Sequence, residues 1–356
     1  MRIVVDVSPL SHPRTGIGNY IRGSLGGMAA ASGGRHDLVA FGPTSLRGPG
    51  AIRAALAGIP VSERLLRLPA SHALRTAWSR LGRPPVERLA GRLDAFVFSE
   101  WMYPAQRGGV RATVFHDLVP FHHPDWCTPR TVSMHTRKAR HAARTCDVVF
   151  ANSRFTAADL VDVLGIEQER IVPAPPGLAD GLVPTGEAAD LGGPAILALG
   201  TIEPRKNLAR LVEAWRLFDG ELGLVLAGGE GWGDRPDLAD SRITRLGYVP
   251  DDEIPRLYRG AAVYAFPSMF EGFGMPIVEA MACGTPVVAS AHPSLDEACG
   301  DAAIRVDPLD PEAIAAGIRE ALARREELVA LGLAHAARFS WERTGAAMLE
   351  ALEARA

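Results

Sequence analysis

Short apolar runs alternate with longer segments of helical spacing from one end of the chain to the other. The strand-like runs of the first half fall at 3–7, 37–41, 95–98, 111–115 and 147–151. Those of the second half fall at 195–199, 222–227, 262–266, 285–289 and 303–306. Strands separated by helices predict α/β architecture with doubly wound parallel sheets. Between the halves lies Pro173-Ala174-Pro175-Pro176-Gly177, followed by a loose stretch to Gly192-Gly193-Pro194. Proline and glycine at that density mark a linker. The pattern therefore predicts two Rossmann-like domains, 1–177 and 178–340, each with its ligand edge at the C-terminal ends of its strands. A ligand shared by the two edges is expected in a cleft between them. The last segment, 341–356, is helical in pattern.

Bulk properties narrow the function classes. The chain has 356 residues, 47% hydrophobic and 22% charged, which suits two globular domains. A net charge of −3 argues against general nucleic-acid binding, which needs a basic surface. No run reaches the eighteen or so apolar residues of a membrane span. Met1–Val7, interrupted by Asp6, reads as a first strand rather than a leader. Cys127, Cys146, Cys283 and Cys299 have neither zinc-site nor disulfide-framework spacing, so buried thiols in a cytoplasmic protein are expected. The basic residues are almost all arginine, the exceptions being Lys138 and Lys206. A lone lysine raises the question of whether a compact point charge is needed there.

The densest chemistry follows the run 262–266. Phe270-Glu271-Gly272-Phe273-Gly274-Met275-Pro276-Ile277-Val278-Glu279-Ala280 leaves a strand through two glycines and enters a helix near Pro276. Backbone N–H groups and the helix dipole at such a place favour an anion. Glu271 and Glu279 flank it, and a carboxylate accepts strongly from neutral hydroxyls. A phosphate beside hydroxyls describes a sugar nucleotide. The same spacing also fits an ordinary α/β turn with a solvated first-turn glutamate.

Three other loops sit at strand ends. Gly200-Thr201-Ile202-Glu203-Pro204-Arg205-Lys206-Asn207 places two adjacent cations before a helix, where they suit diphosphate neutralisation. Arg14-Thr15-Gly16-Ile17-Gly18-Asn19 is glycine-rich but lacks the third glycine of a dinucleotide fingerprint. His116, in Val114-Phe115-His116-Asp117-Leu118, reads either as a hydrogen-bond donor to a sugar or as a loop histidine beside a turn-capping Asp117. His122 and His123 are adjacent, and neighbours in sequence chelate one ion poorly. Arginines at 64, 67, 75, 80, 83, 88 and 92, interleaved with leucines and Trp78 at helical spacing, read as a solvated helix face or as an interfacial helix meeting anionic lipid.

Residues 270–280 resemble the E-x7-E motif of the retaining glycosyltransferases of family 4, which have the GT-B fold of two Rossmann-like domains. Residues 200–207 resemble that family's diphosphate loop, with Thr201 where many relatives carry arginine. The resemblance implies that Glu271 holds sugar hydroxyls, Glu279 the ribose, and Lys206 with Arg205 the diphosphate. It implies backbone contacts from Gly272, Phe273, Gly274, Met275 and Pro276, and base contacts from Tyr248 and Val249 in Gly247-Tyr248-Val249-Pro250. It further implies that Gly16 and Gly18 face the donor diphosphate and acceptor, that His116 contacts the donor sugar, and that the last helix crosses back to the first domain.

The expected activity is retaining transfer of a hexose, mannose or rhamnose, from a nucleotide-diphosphate sugar to a hydroxyl acceptor in envelope glycan or glycolipid synthesis. GDP-mannose is the first expectation for the donor, dTDP-rhamnose the second, with a UDP-sugar also considered. No resident cofactor or metal is expected, since no Asp-x-Asp triplet occurs. A lipid-linked acceptor would place the protein at the inner face of the plasma membrane, met through 64–92. The rival readings are a GT-B sugar-nucleotide epimerase, a nicotinamide oxidoreductase and a non-catalytic nucleotide-binding module.

Overall fold

The computed structural model describes residues 1–12, 15–99, 102–218, 222–231 and 238–356. They form two units, Met1–Gly177 with Ser340–Ala356, and Leu178–Phe339. The first unit contains β1 (Arg2–Asp6), β2 (Asp37–Thr44), β3 (Ser62–Arg67), β4 (Ala95–Phe98), β5 (Val110–Phe115), β6 (Val148–Ala151) and β7 (Ile171–Pro173). The second contains β8 (Ala195–Leu199), β9 (Gly223–Ala227), β10 (Ile243–Gly247), β11 (Val263–Phe266), β12 (Val287–Ser290) and β13 (Ala303–Val306).

Both sheets are parallel and doubly wound. Their orders are β3-β2-β1-β4-β5-β6-β7 and β10-β9-β8-β11-β12-β13, so the order reverses beside β1 in one and beside β8 in the other. Alternate residues of a strand point to opposite faces. Ile3 and Val5 accordingly enter one core and Val4 another, while Leu197 and its neighbours Ile196 and Ala198 divide likewise. Burial on both faces is why these strands read as continuous apolar runs.

The strand-like runs seen in the sequence all form strands, with bounds that differ by up to two residues except that β2 runs three residues further, to Thr44. Three further strands, β3, β7 and β10, were not among them. All three are edge strands, and most of β3 and β10 is exposed. Where a strand's side chains stand largely exposed, as along β3 and β10, nothing demands a continuous apolar run.

The arginine-rich stretch 64–92 is not one helix. It comprises part of β3, a helix α2 (Ser71–Leu81) and a short turn of helix at Glu87–Ala90. Trp78 points inward, edge-on to Phe41, and its indole N–H donates to the Pro84 carbonyl at 2.5 Å. Arg75 is buried as well. Neither side chain is therefore available to a lipid surface. Among the described residues, no helix is long and apolar enough to cross a membrane.

Two helices of the first unit bear on its site edge. Helix α1 (Gly16–Ser32) begins just after β1, and α3 (Pro129–Thr145) packs beneath β5. Lys138 of α3 is fully buried, donates to the Val114 carbonyl at 2.9 Å and lies 4.4 Å from the Phe115 ring centroid. That lysine is a structural pin for the strand that carries His116. The second unit uses α4 (Leu208–Arg216) and α5 (Met275–Ala282), and α6 (Trp341–Glu353) returns to α1. Glycine permits that return, because a Cβ on Gly27 would stand 1.7 Å from the Trp341 carbonyl oxygen. Thr344 Oγ1 donates to the Pro175 carbonyl at 2.5 Å, closing the helix against the linker strand end.

Candidate nucleotide-sugar site

In the second unit the loops after β8 and β11 converge at the point where strand order reverses, the usual ligand position in such sheets. After β8, Gly200 has φ +145°, open to glycine but strained for a side chain. The turn Pro204–Lys206 then leads to Asn207, whose φ of +57° is rare outside glycine. Its amide nitrogen donates to the carbonyls of Pro267 and Pro308 at 3.2 and 2.6 Å, and its amide oxygen accepts from Arg210 at 2.9 Å. Asn207 thereby clamps the β8 loop to the β11 loop.

The clamp brings Arg205 and Lys206 onto Glu271. Lys206 Nζ and Ser268 Oγ each donate to Glu271 Oε1 at 2.6 Å, and Arg205 Nη1 donates to Oε2 at 2.5 Å. Arg205 Nε also meets Glu203 at 2.7 Å. Lys206 Nζ lies 4.7 Å from the Phe266 ring centroid, a cation–π distance. Burial alone would raise the Glu271 pKa, but Lys206 and Arg205, with hydrogen bonds from Lys206 and Ser268, outweigh it and hold the group at about 2. Two carboxylates and two cations make this cluster formally neutral. Arg205 and Lys206, the adjacent cations of the loop motif, are thus engaged with acidic side chains.

Beside the cluster a cavity of about 400 Å³ opens at the C-terminal ends of β8, β9, β10 and β11. Gly200, Gly228 and Gly247 line it together with Lys206 and Phe266. A Cβ on Gly228 would come within 2.0 Å of the Gly200 carbonyl oxygen, so the strands can approach only without side chains there.

Helix α5 starts at this edge. Gly274, its N-cap, has φ +96°, and a Cβ there would lie 2.8 Å from Leu295. Phe273 is buried edge-on against Phe339, and Met275 and Val249 pack on the same core. Their side chains belong to the fold, which leaves backbone atoms for any ligand. Pro276 occupies the first turn of α5, as expected, and Gly272 belongs to the loop just before it. Tyr248 is 62% exposed and does not line the cavity. Glu279 accepts from Tyr258 Oη at 3.1 Å, and burial pushes its pKa up to about 7. The two glutamates of the motif therefore differ sharply: Glu271 is held ionised by cations, whereas Glu279 is buried and accepts from a phenol.

The first unit has its own group at the reversal beside β1. Gly16 opens α1 with nothing within 4 Å of a Cβ, Gly18 is buried two residues on, and Arg14 lies outside the described residues. His116, after β5, stands edge-on to Tyr20 at 4.9 Å. Asp117 accepts from Val119 N–H at 3.1 Å and so caps the turn. Near them Asp6 is buried, bonded to Ser99 and to Ser8 N–H, and burial raises its pKa despite those partners. His122 is bonded to Asp159 at 2.7 Å and His123 stacks on Trp126. Among the described residues no group of three His, Cys, Asp or Glu side chains is arranged to hold a metal.

The sequence did not single out Asn207, Ser268, Glu203 or Asp6. Asn207 stood inside the quoted loop motif, and its value came from accepting a positive φ, which asparagine does more readily than most residues.

Residues 185–338 match the family model described as "Glycosyl transferases group 1". The chain is 30% identical to the O-antigen chain mannosyltransferase B of Escherichia coli, over 96% of this chain and 97% of that protein. It is 29% identical to the serotype-specific mannosyltransferase WbdA of Escherichia coli over 67% of its own length, spanning 32% of that larger protein. Among solved structures it superposes on Anabaena HepE in complex with UDP-glucose with a TM-score of 0.71 at 16% identity, covering 99% of this chain and 100% of that one.

Proposed function

Because the chain belongs to the group 1 glycosyltransferases, has the GT-B fold and is a hexosyltransferase of glycan synthesis, we propose that its reaction is retaining transfer of mannose from GDP-mannose to a hydroxyl acceptor. Rhamnose from dTDP-rhamnose is the second choice. The similarity to two mannosyltransferases supports the sugar. The observation that carries the site is Glu271, held ionised between Lys206, Arg205 and Ser268 beside the glycine-lined cavity. The epimerase, oxidoreductase and simple binding-module readings have no support in these similarities.

In this reading the leaving diphosphate gathers charge in the transition state and is met by Lys206, with Arg205 holding Glu271 in place. Backbone N–H groups of Gly272–Gly274 at the start of α5 add dipoles that need no reorganisation. Glu271 orients the sugar through its hydroxyls, and Glu279 accepts from the ribose. The roles of Gly16, Gly18 and His116 rest on the family resemblance. No metal takes part, and attack occurs on the face the diphosphate leaves. Contact with a membrane surface belongs to this reading only where the acceptor is lipid-linked.

The test is GDP release from GDP-mannose in the presence of free and lipid-linked mannosides, with dTDP-rhamnose and UDP-glucose alongside. Acceptor-dependent GDP release with an α-configured product by NMR is expected. Turnover of another donor in its place, or a β-configured product, contradicts the reading.

A further inference from the structure

The β10 side of the cavity carries a charged pair that this reaction scheme leaves unused. Arg245 lies on β10 and Glu230 just past β9, and Arg245 Nη2 donates to Glu230 Oε1 at 2.8 Å. Both side chains line the cavity. They are 44% and 58% exposed, and an ion pair so open to water adds little to stability. Their placement is nevertheless built into the backbone. Glu230 forms a parallel bridge with Ile202, and the β10 register shifts between Arg245 and Gly247, where φ is +66°. Gly228 N–H then ties that turn to β9 through the Gly247 carbonyl at 2.7 Å.

Lys206 belongs to the loop clamped onto β11, the other flank of the cavity. Lys206 Nζ stands between the ends of β8 and β11, 3.7 Å from where a Cβ on Gly200 would lie and 4.7 Å from the Phe266 ring centroid. Two to three strand spacings therefore separate it from β10, about 10–14 Å at roughly 4.8 Å each. An extended nucleoside diphosphate has the same polarity, phosphate at one end and base at the other. The cavity wall between the two flanks is lined by Gly200, Gly228 and Gly247, which carry no side chains.

We propose that the Glu230–Arg245 pair reads the donor's base and selects guanine. The proposal rests on the nucleotide-sugar reading above and names the residues behind its base. Along its pairing edge guanine presents an acceptor, a donor and a donor: O6, N1–H and the N2 amino group. A guanidinium beside a carboxylate presents the complement, donor then two acceptors. Arginine is the usual partner of guanine O6. Uracil and thymine present acceptor, donor, acceptor, so their O2 would face a carboxylate oxygen and repel it. Adenine begins with a donor, which opposes the guanidinium.

Calorimetric titration of the full chain with GDP, UDP and dTDP tests this. GDP should bind at least about tenfold tighter than the pyrimidine nucleotides. Glu230→Gln should weaken GDP about ten- to a hundredfold and leave UDP unchanged or tighter, because its amide N–H can face O2. Arg245→Met should erase the preference as well, and an unchanged melting temperature shows that either variant is folded. UDP binding wild type as tightly as GDP, or Glu230→Gln weakening both alike, overturns the base assignment and leaves the donor site standing. Binding of none of the three overturns the donor reading itself.

Discussion

Glu271 and Glu279 stand eight positions apart, yet they titrate in opposite directions. Changed to glutamine they should fail differently. Glu279→Gln should weaken both GDP and the intact donor, whereas Glu271→Gln should spare GDP and cut transfer. A lost charge-assisted hydrogen bond costs about 1.5–3 kcal/mol, roughly ten- to more than a hundredfold. Titration with GDP, then transfer assays, checks this; the reversed pattern exchanges the two roles. Glu279, with a pKa of about 7, also sets a pH dependence. Ribose hydroxyls donate, so binding favours its ionised form, and GDP affinity should rise from pH 6 to 8. Glu279→Gln should flatten that rise. For stability the sign is opposite: the protonated folded form contributes stability that is complete below pH 4.5 and lost as pH rises through 7. Glu271, ionised down to about pH 2, contributes to neither slope in this range.

The start of α5 depends on one backbone conformation. Gly274 at φ +96° turns the chain from the Glu271 loop into the helix, with Leu295 closing the space where a Cβ would sit. Gly274→Ala should therefore lower stability by about 1–3 kcal/mol and weaken GDP binding, read by denaturant unfolding and titration. Wild-type values for both would show that the turn is not a constraint. The β8 loop is set differently, through the three hydrogen bonds of Asn207. Asn207→Ala should loosen Arg205 and Lys206 together, and its effect on transfer should approach that of Lys206→Ala. Losing one partner of transition-state charge typically slows a reaction about 10²–10³-fold, and a Lys206→Ala variant with wild-type turnover would remove the diphosphate assignment.

Each unit has a sheet of the same order over six strands, with a seventh added in the first, and each sheet offers one reversal point. In the proposed reaction side chains and backbone supply charge for the leaving group, so transfer should persist in excess EDTA. Activity lost there and regained with Mn²⁺ or Mg²⁺ would contradict a metal-free reaction. The first unit includes the final helix, so removing residues 340–356 should unfold Met1–Gly177 while leaving Leu178–Phe339 folded, which hydrogen exchange would resolve.

The alternation of apolar runs and helices carried the architecture, because strands buried on both faces have to be apolar along their whole length. The edge strands β3, β7 and β10 escaped that signal for the same reason, having less to bury. Local motifs likewise marked Glu271, Glu279, Lys206 and Gly274, because each stands in a short loop-and-helix-start pattern that can be read within a few positions. Pairings across distant segments left no such mark. Lys206 lies 65 positions from Glu271, Asn207 101 from Pro308, and Trp78 gave no hint in its neighbours that it turns inward. Those partners are set by the reversal of strand order and by packing between layers, which join residues that no local periodicity connects.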